Sequence, residues 1–135
     1  MNLTLLRVAL AIGFAVDFFV AILSLFFQSA LGPLLDLPIK DPAVTTFAGG
    51  EILIVSLLYL ALIRAPYRYR ALLWLVVLDQ LFALVLPAYE IARGNMAATW
   101  KTVGPMPGNV LLGGVYLYAL VRLGPPPRAG SAPPL

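Results

Sequence analysis

Four long apolar segments, separated by short stretches rich in proline, glycine and charge, dominate this 135-residue chain. Apolar residues make up 61% of the sequence and charged residues 11%, whereas a soluble domain carries about 25% charged residues. A helix needs about 20 apolar residues to cross a bilayer core of about 30 Å. The sequence therefore predicts an integral, multi-pass membrane protein with an all-α fold.

We predict one domain, residues 1–123, in which four antiparallel helices form an up-down bundle. Asp41 followed by Pro42 is typical of a helix N-cap and first helical position. The proline-rich segment 124–135 lacks apolar mass to pack and is predicted to be a disordered tail. A turn-rich loop over 28–42 is predicted to hold a short interfacial helix near Pro33–Leu37. The four spans are expected at about 3–27, 43–63, 71–88 and 108–123.

Basic residues indicate the orientation, because short cytoplasmic loops carry an excess of Lys and Arg. In the predicted topology, three basic residues fall on one side of the membrane: Lys40, Arg93 and Lys101. Six fall on the other: Arg7, Arg64, Arg68, Arg70, Arg122 and Arg128. We therefore expect both termini in the cytoplasm.

One carboxylate lies near the middle of each of the first three segments: Asp17, Glu51 and Asp79. An acid in a membrane span costs about 2.5–3.5 kcal/mol on insertion scales, so it usually faces a bundle interior and has a function. At about 1.5 Å per residue, the three acids lie about 15, 12 and 14 Å below the same membrane surface. No Lys or Arg occurs at a similar depth. We predict an acidic layer that faces inward.

Other polar or small residues share faces with these acids. Gly13 and Ala21 lie four residues either side of Asp17, which lets a second helix approach closely. Gly49 and Gly50 precede Glu51 and lower the bulk beside it. The predicted ligand-binding residues are Asp17, Glu51, Asp79, Gln80, Tyr116 and Asn109, of which Asn109 is nearer the outer surface.

Three interpretations of the acidic layer stay open, because three carboxylates this close cannot all stay ionised in a low dielectric. The acids could form a structural network that shares protons, although such bonds average only about 0.6 kcal/mol in membranes. They could bind a cation, which could be a proton, a metal ion or an organic amine. A partner subunit could also bring its own Arg or Lys into the membrane.

The leading function is non-enzymatic binding of a small hydrophobic or cationic molecule, with accessory subunit and proton-coupled transporter as alternatives. The chain has no cysteine and no histidine, which removes the commonest nucleophile–base pairs and transition-metal ligands. An enzyme is the least favoured class, since acids alone support little beyond proton transfer. We assign no catalytic residue, no cofactor and no metal ligand. Membrane lipid is the expected environment, and no basic run interleaved with aromatics suggests nucleic-acid binding.

The layout resembles the small four-helix inner-membrane proteins of bacteria of the DoxX-like kind, which implies that fold and location. The resemblance rests on the arginine opening the first span, a Leu-Pro-x-x-Asp-Pro loop, a Gly-Gly pair in the second span and a short Arg/Pro turn: Leu6-Arg7, Leu37–Pro42, Gly49-Gly50 and Arg64–Arg70. The chain is more loosely similar to the EXPERA group, the emopamil-binding sterol isomerases and the sigma-2 receptor, which bind sterols or cationic amphiphiles. By that analogy Asp17, Glu51 and Asp79 would be the acids of the membrane cavity.

Overall fold

The computed structural model describes residues 3–123, and this part of the chain is all-helical, without β-strands. The predicted all-α fold is therefore confirmed, while the predicted tail at 124–135 lies outside the described residues. A single 3-10 turn, Arg70–Leu72, precedes the fourth helix. The six α-helices are α1 (Leu3–Phe26), α2 (Gln28–Leu35), α3 (Pro42–Arg64), α4 (Leu73–Ala92), α5 (Trp100–Val103) and α6 (Met106–Arg122).

Three helical segments are long and apolar enough to cross a membrane: α1, α3 and the continuous stretch Arg70–Ala92 that includes α4. Helix α6 has 17 residues, which corresponds to about 25 Å at 1.5 Å per residue. Helix α4 continues four residues beyond the predicted end, so Pro87 lies inside the helix. A proline at this position removes one backbone hydrogen-bond donor without ending the helix.

Helices α1 and α3 form the most extensive helix pair of the structure. A Cβ atom at Gly49 would lie only 2.7 Å from the Cβ atom of Ser24, so the glycine allows the two backbones to approach closely. Ala21 is fully buried at the same interface. The predicted N-cap of α3 is confirmed, because Asp41 Oδ1 accepts a hydrogen bond of 2.8 Å from the Ala43 backbone N–H.

Helices α4 and α6 form a second pair, which contacts the first pair mainly through one half of the molecule. We call the end where α1 and α4 begin and α3 and α6 end the arginine end, and the opposite end the loop end. The buried apolar residues gather towards the arginine end and include Leu10, Leu62, Val76 and Leu120. Past Gln80 in α4 and before Tyr116 in α6, neither helix has a buried residue. The core therefore occupies the half of the molecule nearer the arginine end.

Two short helices and their loops cover the loop end. Helix α2 replaces most of the predicted loop and begins five residues earlier than the expected interfacial helix. Helix α5 was not predicted, and it follows a capping box between Thr99 and Thr102. Lys101 Nζ forms an ion pair of 3.2 Å with Asp36 Oδ1, and Thr99 Oγ1 donates to Asp36 Oδ2 at 2.7 Å. We call these contacts the loop clasp, because they join α5 to the end of α2.

Candidate functional site

A polar cluster lies between the four long helices, at the loop-end limit of the buried core. One member comes from α1, one from α3, two from α4 and one from α6. Tyr59 and Tyr116 are fully buried, and Gln80 is 5% exposed. Polar side chains are rare at such positions in apolar helices, because each must find a partner to offset its desolvation. The polar cluster consists of Asp17, Tyr59, Asp79, Gln80 and Tyr116.

Hydrogen bonds from two donors converge on one carboxylate oxygen of this cluster. Tyr59 Oη donates to Asp79 Oδ2 at 2.9 Å, and Gln80 Nε2 donates to the same oxygen at 3.0 Å. The Gln80 amide nitrogen also donates to Tyr59 Oη at 3.0 Å. Asp17 completes the group from α1, where its carboxyl interacts electrostatically with Asp79 and Tyr59. The structure therefore brings together two acids that lie 62 positions apart in the sequence.

Gly13 makes room for the two aromatic rings of the cluster. A Cβ atom at this position would lie 2.5 Å from Tyr59 Cε1 and 2.7 Å from the Tyr116 hydroxyl oxygen. The rings of Tyr59 and Tyr116 meet edge to face, with centroids 6.0 Å apart. The Tyr116 hydroxyl donates to the Ala9 carbonyl oxygen at 2.7 Å and so ties α6 to α1. The predicted close approach at Gly13 is confirmed, and both tyrosines depend on it.

Two buried acceptor atoms of the cluster have no hydrogen-bond partner among the described residues: Asp17 Oδ2 and Gln80 Oε1. The orientation of the Gln80 amide follows from its neighbours, because the carboxylate oxygen of Asp79 requires a donor and therefore the amide nitrogen. The amide oxygen consequently faces away from Asp79. Buried acceptors without a donor are uncommon in folded proteins. Each atom could accept a hydrogen bond from an additional cationic or protonated group.

The charge of the cluster is uncompensated by any basic side chain. Lys101–Asp36 is the one ion pair between residues 3 and 123, and it lies at the loop end. Two carboxyl groups in contact repel each other when both are ionised, so such a pair requires a proton or another cation. The arrangement can therefore hold a proton or a donor group such as an ammonium. Within the described residues, no group of three or more Asp, Glu, His or Cys side chains is arranged to hold a metal ion.

Glu51 does not join the cluster, contrary to the expected layer of three inward-facing acids. Its side chain is exposed, on the same stripe of α3 as Phe47 and Ile54, which are also exposed. The reason is angular: Gly49 contacts α1, and a residue two positions later points to nearly the opposite side of the helix. Gly50, which was expected to open space for an inward acid, has no atom within 4 Å of its potential Cβ position.

Asn109 also lies away from the cluster, seven residues before Tyr116, or about 10 Å along the helix. Its Nδ2 atom donates to the Ala83 carbonyl oxygen at 3.3 Å. That carbonyl lies four residues before Pro87, which has no backbone N–H to offer it. Asn109 therefore supplies the donor that the proline removes from α4. This contact gives Asn109 a structural partner at the point where it was predicted to meet a ligand.

Tyr59 is the member of the cluster that was not predicted from the sequence. It lies in an apolar run, Leu57–Ile63, and carries no charge. A tyrosine buried within an apolar helix needs a partner for its hydroxyl group, just as an acid needs one for its charge. The same criterion that selected the acids therefore identifies Tyr59 when it is applied to uncharged polar residues.

A cavity of about 420 Å³ opens between α1, α3 and the loops of the loop end. Val20 and Ser24 line it from α1, and these residues follow Asp17 by one and two turns on the same face of the helix. Ile52 lines it from α3, and Lys40 and Glu90 also belong to its lining. The cavity is mostly apolar and lies on the loop-end side of the polar cluster, whose members do not line it, whereas the buried core lies on the other side of the cluster.

Known proteins provide no further assignment. No model of a known protein family matches this chain, and no match is found among characterised proteins or among solved structures.

Proposed function

We propose that this protein is a four-helix membrane bundle, with the arginine end in the cytoplasm, that binds a small cationic amphiphile without chemical conversion. In this proposal α1, α3, α4 and α6 are the four antiparallel spans. Asp17 and Asp79 provide the negative charge, and Gln80 and Tyr59 provide polar contacts. The observation that carries the proposal is the pair of half-buried carboxyl groups without a basic partner, together with the buried, unpaired acceptors Asp17 Oδ2 and Gln80 Oε1.

The amphiphilic character of the ligand is inferred from the surroundings of the cluster. An ammonium group carries only donors, which suits two acids and two unpaired acceptors. The neighbouring cavity of about 420 Å³ provides apolar walls for a hydrocarbon body. Ligand pockets commonly combine a predominantly apolar lining with a few polar groups that fix orientation. A hydrophobic amine that enters from the loop end fits both features.

A direct test compares dodecyldimethylamine with dodecanol, which has the same chain length and no charge. Native mass spectrometry of the full-length protein released from detergent micelles would give the affinity for each probe. We expect the wild-type protein to prefer the amine at least tenfold, equivalent to about 1.4 kcal/mol. Asp17→Asn and Asp79→Asn should each remove that preference, because they remove charge with little change in size.

Glu51→Gln is the matched control for this experiment. It removes an acid from the same part of the membrane, but Glu51 is exposed and far from the cluster. The variant should keep the preference for the amine. Equal loss in Glu51→Gln and Asp17→Asn, or no loss in Asp17→Asn, would contradict the proposal. Circular dichroism and monodispersity of each variant would show that the fold is retained.

Glu51 itself supports a second candidate function, that of an accessory subunit in a larger membrane complex. An exposed acid between Phe47 and Ile54 would face lipid hydrocarbon in an isolated molecule, at a substantial cost in free energy. A partner helix carrying Lys or Arg at that depth would neutralise it. Purification in mild detergent should then recover a stoichiometric partner that is lost in Glu51→Gln and retained in Asp17→Asn. Recovery of the wild-type chain without a partner would count against this candidate.

Proton-coupled transport has less support from the architecture. A transporter needs a route from the binding site to both membrane surfaces, and the buried core lies between the polar cluster and the arginine end. That core includes Leu10, Leu62 and Leu120. A substrate flux in liposomes that is driven by a pH gradient and is lost in Asp79→Asn would support proton-coupled transport.

A further inference from the structure

We propose that a second, separate site at the arginine end binds the phosphate group of an anionic lipid. Three arginines line one cavity of about 460 Å³ there, and we call this cavity the arginine pocket. Arg7 reaches it from the start of α1, Arg64 from the last turn of α3, and Arg68 from the turn that follows. The site depends on α1 and α3 spanning the membrane, and it is independent of the polar cluster.

The arginines of this pocket have free hydrogen-bonding capacity. Arg7 and Arg64 form no hydrogen bond or ion pair with other residues in the described part of the chain. Arg68 lies over the ring of Tyr69, with its guanidinium carbon 5.5 Å from the ring centroid, and this contact leaves its N–H groups available. A guanidinium presents its donors in a planar fork that matches two phosphate oxygens.

Other arginines at the same end are used differently. Arg70 donates from Nη2 to the Leu120 carbonyl oxygen at 2.8 Å and so completes the end of α6. Arg122 lies over the Tyr118 ring at 5.6 Å and does not line the pocket. The three pocket arginines therefore differ from Arg70 in lacking a protein acceptor and from Arg122 in lining the shared pocket.

The sequence also supplies no acidic side chain to neutralise this end. All six acidic residues lie between positions 17 and 90, in the spans or at the loop end. The nearest one along α1, Asp17, follows Arg7 by ten residues, or about 15 Å. Three guanidinium groups around one cavity repel one another when no counter-ion is present, and an anion in the cavity reduces that repulsion.

A lipid fits this pocket better than a soluble anion does, because four of its seven lining residues are apolar or aromatic: Leu3, Ala65, Pro66 and Tyr67. Leu5 and Val8, which flank Arg7 on α1, are also exposed. The pocket opens where two membrane-spanning helices end, which is the depth of lipid headgroups. A lipid phosphate could contact the arginines while its acyl chains follow the exposed face of α1.

The experiment uses the full-length protein in detergent and titrates phosphatidylglycerol or phosphatidylcholine, with bound lipid counted by native mass spectrometry. We expect one phosphatidylglycerol molecule to bind at least tenfold more tightly than phosphatidylcholine. Each arginine near an anionic headgroup contributes about fivefold in affinity. Arg64→Gln should therefore reduce phosphatidylglycerol binding about fivefold, and Arg7→Gln/Arg64→Gln should bring it to the level of phosphatidylcholine.

Arg122→Gln is the matched control, since it removes the same charge from the same end without altering the pocket. It should leave the selectivity for phosphatidylglycerol within twofold of the wild-type value. Equal losses of phosphatidylglycerol binding in Arg64→Gln and Arg122→Gln would show that only the net charge of this end matters, and would overturn the proposal. Displacement of the lipid by millimolar inorganic phosphate would overturn the lipid assignment in favour of a soluble phosphate. Neither result would affect the amine test, whose variants lie in the polar cluster.

Discussion

The two halves of this molecule differ in how they use the same helices. Towards the arginine end, all four long helices contribute buried residues to one continuous core. Towards the loop end, α4 and α6 have no buried residue, and a cavity separates α1 and α3 from the loops. The polar cluster lies where the packed half meets the open half. Packing thus holds one side of the cluster in place while the other side is left accessible.

This division assigns stability and accessibility to different parts of the chain. In a membrane, close packing of small residues and hydrogen bonds replace the hydrophobic effect as the source of helix association. Both features are concentrated near the cluster, in Gly13 and in the tyrosine hydroxyl groups. Substitutions in the packed half should therefore cost more stability than similar substitutions in the open half.

The largest effect is expected for Gly13→Ala. The added Cβ would lie within 2.7 Å of both tyrosines of the cluster, so the rings must move. Overpacking of this kind costs about 1–3 kcal/mol. SDS titration of the protein in mixed micelles would measure the free energy of unfolding. Gly50→Ala is the control, because nothing lies within 4 Å of its Cβ position, and it should be neutral or slightly stabilising. A neutral Gly13→Ala would show that the core is not closely packed there.

A smaller loss is expected for Tyr59→Phe, which deletes the hydroxyl that links Asp79 to Gln80. The change leaves the ring in place, so the loss should be about 1 kcal/mol, near the upper part of the range for membrane hydrogen bonds. The same SDS titration would measure it. Tyr118→Phe, at an exposed position, should have no effect. Equal stabilities of the two variants would mean that the cluster contributes nothing to the fold.

Asn109→Leu tests the open half and should cost about 0.6 kcal/mol, the average for a membrane hydrogen bond. The bond matters because Pro87 leaves the Ala83 carbonyl without its helical donor. Pro87→Ala restores that donor, so Asn109→Leu should cost almost nothing in the Pro87→Ala background. A double-mutant cycle would measure this coupling. Additive losses would indicate that Asn109 does not compensate for the proline.

The smallest effect concerns the loop clasp and its dependence on pH. The hydrogen bonds from Thr99 and Lys101 lower the pKa of Asp36 below its ordinary value of 3.8. The clasp is therefore fully formed above pH 3.8 and is lost as the pH falls through the lowered pKa. The protection factors of the amides in residues 99–103, which are corrected for the intrinsic pH dependence of exchange, should fall as the pH drops through the lowered pKa of Asp36. Asp36→Asn should show the lower protection at every pH, and a loss of protection on acidification in that variant would exclude Asp36 as the cause.

The sequence predicted the boundaries of the helices better than it predicted which face of each helix points into the bundle. Apolar length alone located α1 and α3 to within a residue, and the Asp41–Pro42 pair marked the start of α3. Glu51 was predicted to face inward, but its side chain is exposed, so the assignment of its face was wrong. In a soluble helix the polar face identifies the solvent side, whereas here lipid and bundle interior are both apolar, so periodicity carries little information.

The predicted site shows the same limit. Asp17, Asp79, Gln80 and Tyr116 meet in the structure, since each is the polar residue of a face that packs inward. Asn109 was selected for its polarity, but its partner is the backbone carbonyl of Ala83. That carbonyl lacks a helical donor because Pro87 has no backbone N–H. Tyr59 was overlooked because the argument from charge does not apply to a hydroxyl. Long-range contacts such as Tyr59 with Asp79 cannot be read from local sequence.

The position of Tyr59 on α3 has a consequence for how the protein is made. During synthesis α1 and α3 emerge before α4, and their glycine contacts let them pair as a hairpin at once. That early hairpin already carries the hydroxyl donor that Asp79 requires. Asp79, the last acid of the polar cluster to be synthesised, therefore meets a prepared partner.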